Sequence, residues 1–250
     1  MRTISALLFS AILFTSCNKD SGYENNPGVS EGLHNRVVGA SANELLSASK
    51  YSSLKIEVQY MTGYEPDAAA LAHLQNTLAS LINKPAGITI IKKEIPASAS
   101  TSLSADEVWA IEKKNRTAFT SGTELAVYLL YTNGNYTDPN VLGIAYKNTS
   151  VALFGKKIGD NSGSIGQASR TKLVATVAEH ELGHLLGLVD LGSAMQSAHK
   201  DGAHGNHCTN NSCLMYYASE TTDILGFLIT GNIPVLDANC KADLTANGGK

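Results

Sequence analysis

The chain has 250 residues, enough for one catalytic domain with a proper core or two small ones. Apolar residues make up 43% and charged residues 16%, the balance of an ordinary globular protein, which separates neither enzymes from binding modules nor one chemistry from another. A net charge of -3 without any extended basic cluster argues against a nucleic-acid surface, so no nucleic acid is expected among the partners.

Arg2 precedes a short apolar run from Ile4 to Phe14, too short to span a bilayer as a stable helix. The run ends in Thr15-Ser16-Cys17 and resembles a bacterial lipoprotein signal, in which the cysteine becomes the lipidated first residue after cleavage. The resemblance implies removal of residues 1–16, lipidation at Cys17, export, and anchoring to the outer membrane facing the periplasm or the cell surface. Residues 17–50, rich in Asn, Ser, Gly and Glu, read as a flexible tether. The catalytic domain is then expected over 51–250, as a monomer. Among the remaining cysteines, Cys208, Cys213 and Cys240, an oxidising compartment favours one disulfide with a thiol left over. A structural zinc on these cysteines and a histidine is the alternative.

Leu54, Ile56, Val58 and Tyr60 alternate with polar residues and predict a half-buried strand. Pro66 suits the first turn of a helix carrying Leu71, Leu74, Leu78 and Leu81. Lys84-Pro85-Ala86-Gly87 ends it, and Ile88, Ile90 and Lys92 begin a second strand. Ser104 to Glu107 has the form of a capping box, opening a helix through Trp109 and Ile111. Leu125–Tyr131 reads as a third strand, and Val141–Tyr146 with Val151–Phe154 as a further pair turning at Lys147-Asn148-Thr149. Gly159 to Gly166 lacks a nucleotide-binding pattern and reads as a mobile loop at a cleft. Ile224, Leu225 and Phe227 predict a short helix near the end of the chain.

The chemistry lies in the helix expected from Ser169 to Leu186, closed by Gly187. His180 and His184, four residues apart, share a helix face and can bind one metal ion, and Glu181 falls beside that face. Neutral imidazoles suit zinc, and a third ligand would leave a position for water. Zinc lowers the pKa of that water to about 7. Glu181 can take the water's proton and return it to a leaving amine.

The full stretch, His180-Glu181-x-x-His184-x-x-Gly187-x-x-Asp190, resembles the extended zinc motif of the metzincin peptidases. Cys208 to Met215 resembles their Met-turn segment and, with His207 before it, is similar to that of the archaemetzincins. The resemblance implies an α+β fold with a twisted mixed sheet, an active-site helix and a small lower subdomain. It further implies one catalytic zinc ion, a protein or peptide substrate, a sharp turn at Gly187, and Met215 as a hydrophobic floor under the metal. Two residues compete as third ligand. Asp190 has the standard register from the helix. His207 has the right spacing to Cys208, Cys213 and Met215, though Leu188 to Asn206 intervene, and is preferred over Asp190, His199 and His204. Tyr217, two residues after Met215, is in register to stabilise an oxyanion, or it packs in the core. One of the strands at Val141–Tyr146 or Val151–Phe154 could pair with an extended substrate. Cys240 could be tied to Cys208 or Cys213. The implied activity is peptide-bond hydrolysis. A zinc amide hydrolase of cell-wall peptides and a non-catalytic zinc-binding lipoprotein are the alternatives.

Overall fold

The computed structural model describes residues 31–250. The signal segment, Cys17 and the first part of the expected tether lie outside the described residues. Residues 31–50 do not form a tether. They make two short helices, α1 (Glu31–His34) and α2 (Ala42–Leu46), and bury Leu45 and Leu46 in the main core. The domain therefore begins at least twenty residues before Tyr51. The polar composition that suggested a tether instead supplies contacts. Asn148 donates to the Leu33 carbonyl and to Ser41 Oγ at 2.7 Å each, holding the segment against the far side of the sheet.

From there the chain runs through β1 (Ser53–Met61), α3 (Ala68–Leu81), β2 (Ile88–Ile95), β3 (Ser102–Leu103) and α4 (Ala105–Asn115). It continues through β4 (Glu124–Thr132), β5 (Asn135–Tyr136), β6 (Gly143–Lys147), β7 (Ser150–Phe154), α5 (Gly155–Asp160) and α6 (Arg170–Leu185). Two 3-10 turns (Tyr217–Glu220 and Thr222–Ile224), α7 (Leu225–Thr230) and α8 (Ala238–Ala246) complete it. The five-stranded sheet has the order β2-β1-β4-β7-β6. Its first four strands are parallel, and β6 runs antiparallel to β7 at one edge. Of the two strands expected to receive substrate, β7 is therefore internal and only β6 offers an edge. Parallel strands need both faces covered, which accounts for the continuous burial of β4 from Leu125 to Thr132. The opposite edge, β2, exposes Lys92, Lys93 and Glu94, charges that discourage pairing with another chain.

The helix starts follow from their caps. Pro66 precedes α3 rather than entering its first turn. The cap is Asp67, whose carboxylate accepts the N–H groups of Ala69 and Ala70. The box of Ser104 and Glu107 opens α4 as expected. α3 and α6 pack against one face of the sheet, where Leu74, Val58, Leu129 and Val177 share the core. Glu179, buried on α6, meets His73 of α3 at 2.5 Å. Gly159 and Asp160 end α5, and Asn161 to Gly166 are mostly turns and bends that line no wall of the cavity described below.

On the other face, under α4, the sheet carries a buried polar network. Arg116 pairs with Glu112 at 2.6 Å, both almost fully enclosed, and Glu112 also accepts from Ser150 and Tyr146. His34 closes this network toward α1. Its Nδ1–H donates to Thr149 Oγ1 at 2.8 Å, and its Nε2 accepts the Thr120 N–H at 3.2 Å, which fixes a neutral ring. Burial, then the charges of Arg116 and Arg36, lower the His34 pKa to about 3. As pH falls below the unfolded value near 6.5, the unfolded chain binds a proton that the folded chain refuses, so stability declines down to about 3. Between pH 6.5 and 5 this group alone should remove about 2 kcal/mol. Urea unfolding at pH 7 and pH 5 should show that loss in the parent and a smaller one in His34→Asn. Equal losses in the two proteins would dismiss the assignment.

Candidate metal centre

α6 spans Arg170–Leu185 between Ser169 and Leu186, and every residue from Leu173 to Leu185 is buried. Helices of this kind lie inside a domain instead of on its surface. Two polar residues thereby enclosed, His180 and His184, stand one turn apart with their Nε2 atoms 3.1 Å from each other. His207 completes a triangle. Its ring centroid lies 5.2 Å from those of both His180 and His184, which are 4.7 Å apart.

The outer nitrogens of two of these rings are already committed. His180 Nδ1 donates to the Leu214 carbonyl at 2.7 Å, and His207 Nδ1 donates to the His204 carbonyl at 2.6 Å. These bonds set the tautomer that leaves Nε2 as a lone-pair donor, the usual arrangement behind a metal-binding imidazole. Burial, and then the imidazoles beside it, outweigh Glu220 and lower the His184 pKa to about 4, which favours the neutral, ligating form. Two imidazole nitrogens bound to one tetrahedral zinc lie ~3.3 Å apart, from bonds of about 2.0–2.1 Å. The observed separation fits that edge. The three imidazoles can therefore hold a divalent ion of this size.

Glu181 points from the same helix toward β6 and is fully buried. A Cβ built on Gly143 would lie 2.8 Å from Glu181 Oε1 and 2.5 Å from Val177, so only glycine leaves room for the carboxylate there. Burial, and then the charge of Glu220, push the Glu181 carboxyl well above the usual range, against the Ala145 N–H. A cavity of about 290 Å³ opens over these groups, with Val38, Ile144, Leu191 and Asn206 in its walls and no residue from Gly159 to Gly166.

The backbone beyond α6 turns as expected. Gly187 has φ 79°, and a Cβ there would strike Ser193 N at 2.5 Å and Ala42 at 2.6 Å. The sharpness of the turn is also carried by Val189 and Asp190, at φ 52° and 69°. Asp190 does not reach the imidazoles. It is exposed and pairs with Lys200 at 3.1 Å. Of the two candidates, His207 is the one that stands beside His180 and His184. The intervening excursion folds back on itself, with Asp201 N–H donating to the His207 carbonyl and Thr209 N–H to the His199 carbonyl. His199 is buried on Asp243 at 2.7 Å, and His204 pairs with Asp201 at 2.6 Å. Tyr217 stacks on His204, ring centroids 3.8 Å apart, half-buried at the rim and outside the imidazole cluster. Met215 is fully buried beneath the helix, and a Cβ on Gly183 would meet its Sδ at 2.4 Å.

Two further features involve residues that the sequence did not single out, Glu220 and Asp237. One is Glu220, whose carboxylate faces all three imidazoles: Oε2 lies 3.5 Å from His180 and 3.8 Å from His184, and Oε1 lies 3.4 Å from His207. The other is the fate of the cysteines. No disulfide joins Cys208, Cys213 and Cys240. All three are buried free thiols, with Cys213 and Cys240 Sγ atoms 3.6 Å apart. With Asp237 in place of the expected histidine they form a second group able to hold a metal ion. Cys213 shares a hydrogen bond with the Cys240 thiol and accepts the N–H groups of Met215 and Asp237, which lowers its pKa to about 7 despite burial. Burial pushes Cys208 up to about 12.

Comparison with family models and with curated proteins finds no match. Among solved structures, the fold resembles the archaemetzincin of Methanopyrus kandleri, with a TM-score of 0.53 and 16% sequence identity. The match covers 78% of this chain and 96% of that one. Metalloproteinase-II of Bacteroides fragilis aligns over 89% of this chain and 58% of its own length, with a TM-score of 0.47 and 15% identity. The mixed sheet, the buried helix α6 behind it and the lower part of the chain that follows (residues 187–250, the lower subdomain) share the fold of the Methanopyrus kandleri archaemetzincin.

Proposed function

We propose that the protein is a zinc metallopeptidase. The observation that carries this reading is the convergence of His180, His184 and His207, with Glu181 enclosed beside them. A zinc ion on these residues would supply a polarised water and an electrophile for the scissile carbonyl. Glu181 would take the proton of the attacking water and pass it to the departing amine, its high proton affinity suiting the second half of that role. An extended peptide could pair along the free edge of β6, which brings its backbone past Glu181 and Ala145. The cavity walls then receive side chains. Endopeptidase action on proteins is the simplest substrate class for an open cleft of this kind. The sequence at Cys17 supports export of the enzyme and a lipid anchor. Among the described residues no helix is long and apolar enough to cross a membrane.

Peptide hydrolysis should vanish on chelation and return with zinc. Glu181→Gln should retain the metal and lose about 10²–10⁴-fold in kcat, the range of a lost general base. Unchanged turnover in that variant would remove the mechanism. Cleavage of cell-wall peptides with no action on proteins would instead assign the amide-hydrolase alternative.

Gly143→Ala tests the placement of the base without touching a ligand. The added methyl displaces Glu181, and a displacement near 1 Å can cost about 10²-fold. The variant should keep its metal content while kcat falls; full activity would show that Glu181 is not held by β6.

A further inference from the structure

Glu220 occupies an unusual place for a carboxylate that the hydrolytic scheme does not use. It faces the three imidazoles at distances of 3.4–3.8 Å from their Nε2 atoms. One donor atom from each of His180, His184, His207 and Glu220 falls within 4.8 Å of every other. That is the form of a complete four-donor cage, and the spacings approach the ~3.3 Å edges of a zinc tetrahedron.

The position is built by the backbone. The Glu220 carbonyl accepts the Leu142 N–H at 2.7 Å, and Thr222 N–H donates to the Asn140 carbonyl at 2.9 Å. An isolated bridge joins Val141 to Thr221 between them. The lower subdomain is thus laced onto the chain entering β6, and the lacing fixes the Cα of Glu220 beside the cluster. Its side chain remains at the cavity wall and retains some exposure to solvent. Rotation about its own bonds would carry the carboxylate away without disturbing that pairing.

We propose that Glu220 is a fourth protein ligand of the metal. The resting centre is then closed, as structural four-ligand sites are, and the carboxylate must leave before water or a substrate carbonyl can enter. This rests on the metallopeptidase reading of the imidazoles and adds a latency device to it. The occupant of the fourth position at rest is a protein carboxylate, and substrate entry along β6, next to the Glu220 clamp, is the event placed to displace it.

The test uses the full-length chain loaded with zinc or cobalt(II), with each signal taken as the difference from a His180→Ala/His184→Ala double variant. That subtraction removes any metal held by the cysteines. Zinc affinity, measured against a competing chelator, should fall at least about tenfold in Glu220→Ala, since even groups that only support a ligand cost that much. Glu220→Gln, of the same volume, should also bind more weakly, and its unfolding curve shows whether the fold is kept. In the cobalt proteins, azide should shift the visible bands of Glu220→Ala and leave those of the parent in place. Unchanged zinc affinity in both Glu220 variants would overturn the proposal, and so would azide binding to the parent. If the parent holds no more metal than the double variant, the metallopeptidase reading fails and the Glu220 assignment falls with it. A metal lost in the double variant but indifferent to Glu220 removes only the latter.

Discussion

The site depends on two hydrogen bonds that aim imidazoles. His180 and His207 each give Nδ1–H to a main-chain carbonyl, Leu214 and His204, and each is left with its Nε2 lone pair beside the other imidazoles. Neither carbonyl belongs to α6. Both come from the segment that follows it, so the geometry of the helix-borne His180 is set by the same stretch that delivers His207. A metal placed among them would bind helix and lower subdomain together, and the subdomain in turn holds the rings in register for the metal. Binding energy and folding energy are coupled in such an arrangement.

The sheet serves this centre unequally on its two faces. The face under α3 and α6 is apolar and positions the helix mainly by packing, with Glu179 and Thr171 of α6 also bonded to His73 and Asp67 at α3. The other carries two buried hydrogen-bonded groups, Glu57 with Gln59 and Tyr128, and Arg116 with Glu112 and Ser150. Every member needs its neighbours, because a buried ion pair gains stability only when its remaining donors and acceptors are met. The short helices α1 and α2 complete that network through His34 and Ser41. The polar segment before Tyr51 is therefore ordered by partners far along the chain.

This explains which parts of the protein were legible in its sequence. Alternation from Leu54 to Tyr60, the heptad-like leucines of α3, the Ser104–Glu107 box and the HExxH turn are local signals, and each produced its element. The packing of residues 31–50 was not legible, since their partners, Thr149 and Asn148, lie more than a hundred residues away. Asp67 was available as a cap beside Pro66, and capping preference could have moved the start of α3 by two residues. Glu220 had no signal. A glutamate at the end of a turn is ordinarily solvated, and only the bridge between Val141 and Thr221 brings it to the imidazoles. The cysteines show the limit of compartment arguments. An odd number of thiols read as one disulfide with a remainder, but Asp237 makes a fourth donor to a single cluster and leaves no remainder.

The third imidazole raises a question of chain length. Residues Leu188 to Asn206 separate the helix turn from His207, and closing a longer loop costs entropy that grows slowly with its length. The structure limits that cost by making the excursion a folded unit. Lys200 and Cys208 form an antiparallel bridge, Asn206 donates to the Val189 carbonyl at 2.9 Å, and Ser193 Oγ donates back to the Leu186 carbonyl at 2.7 Å. The ends of the excursion are thereby brought together next to α6. The neighbouring residues His207 and Cys208 then face different clusters, the imidazoles on one side and the thiols with Asp237 on the other. One peptide bond links two groups each able to hold an ion, so an ion at the thiols would restrain the backbone of His207 directly. In this chain the placement of His207 is set less by the number of intervening residues than by how firmly Cys208 is held.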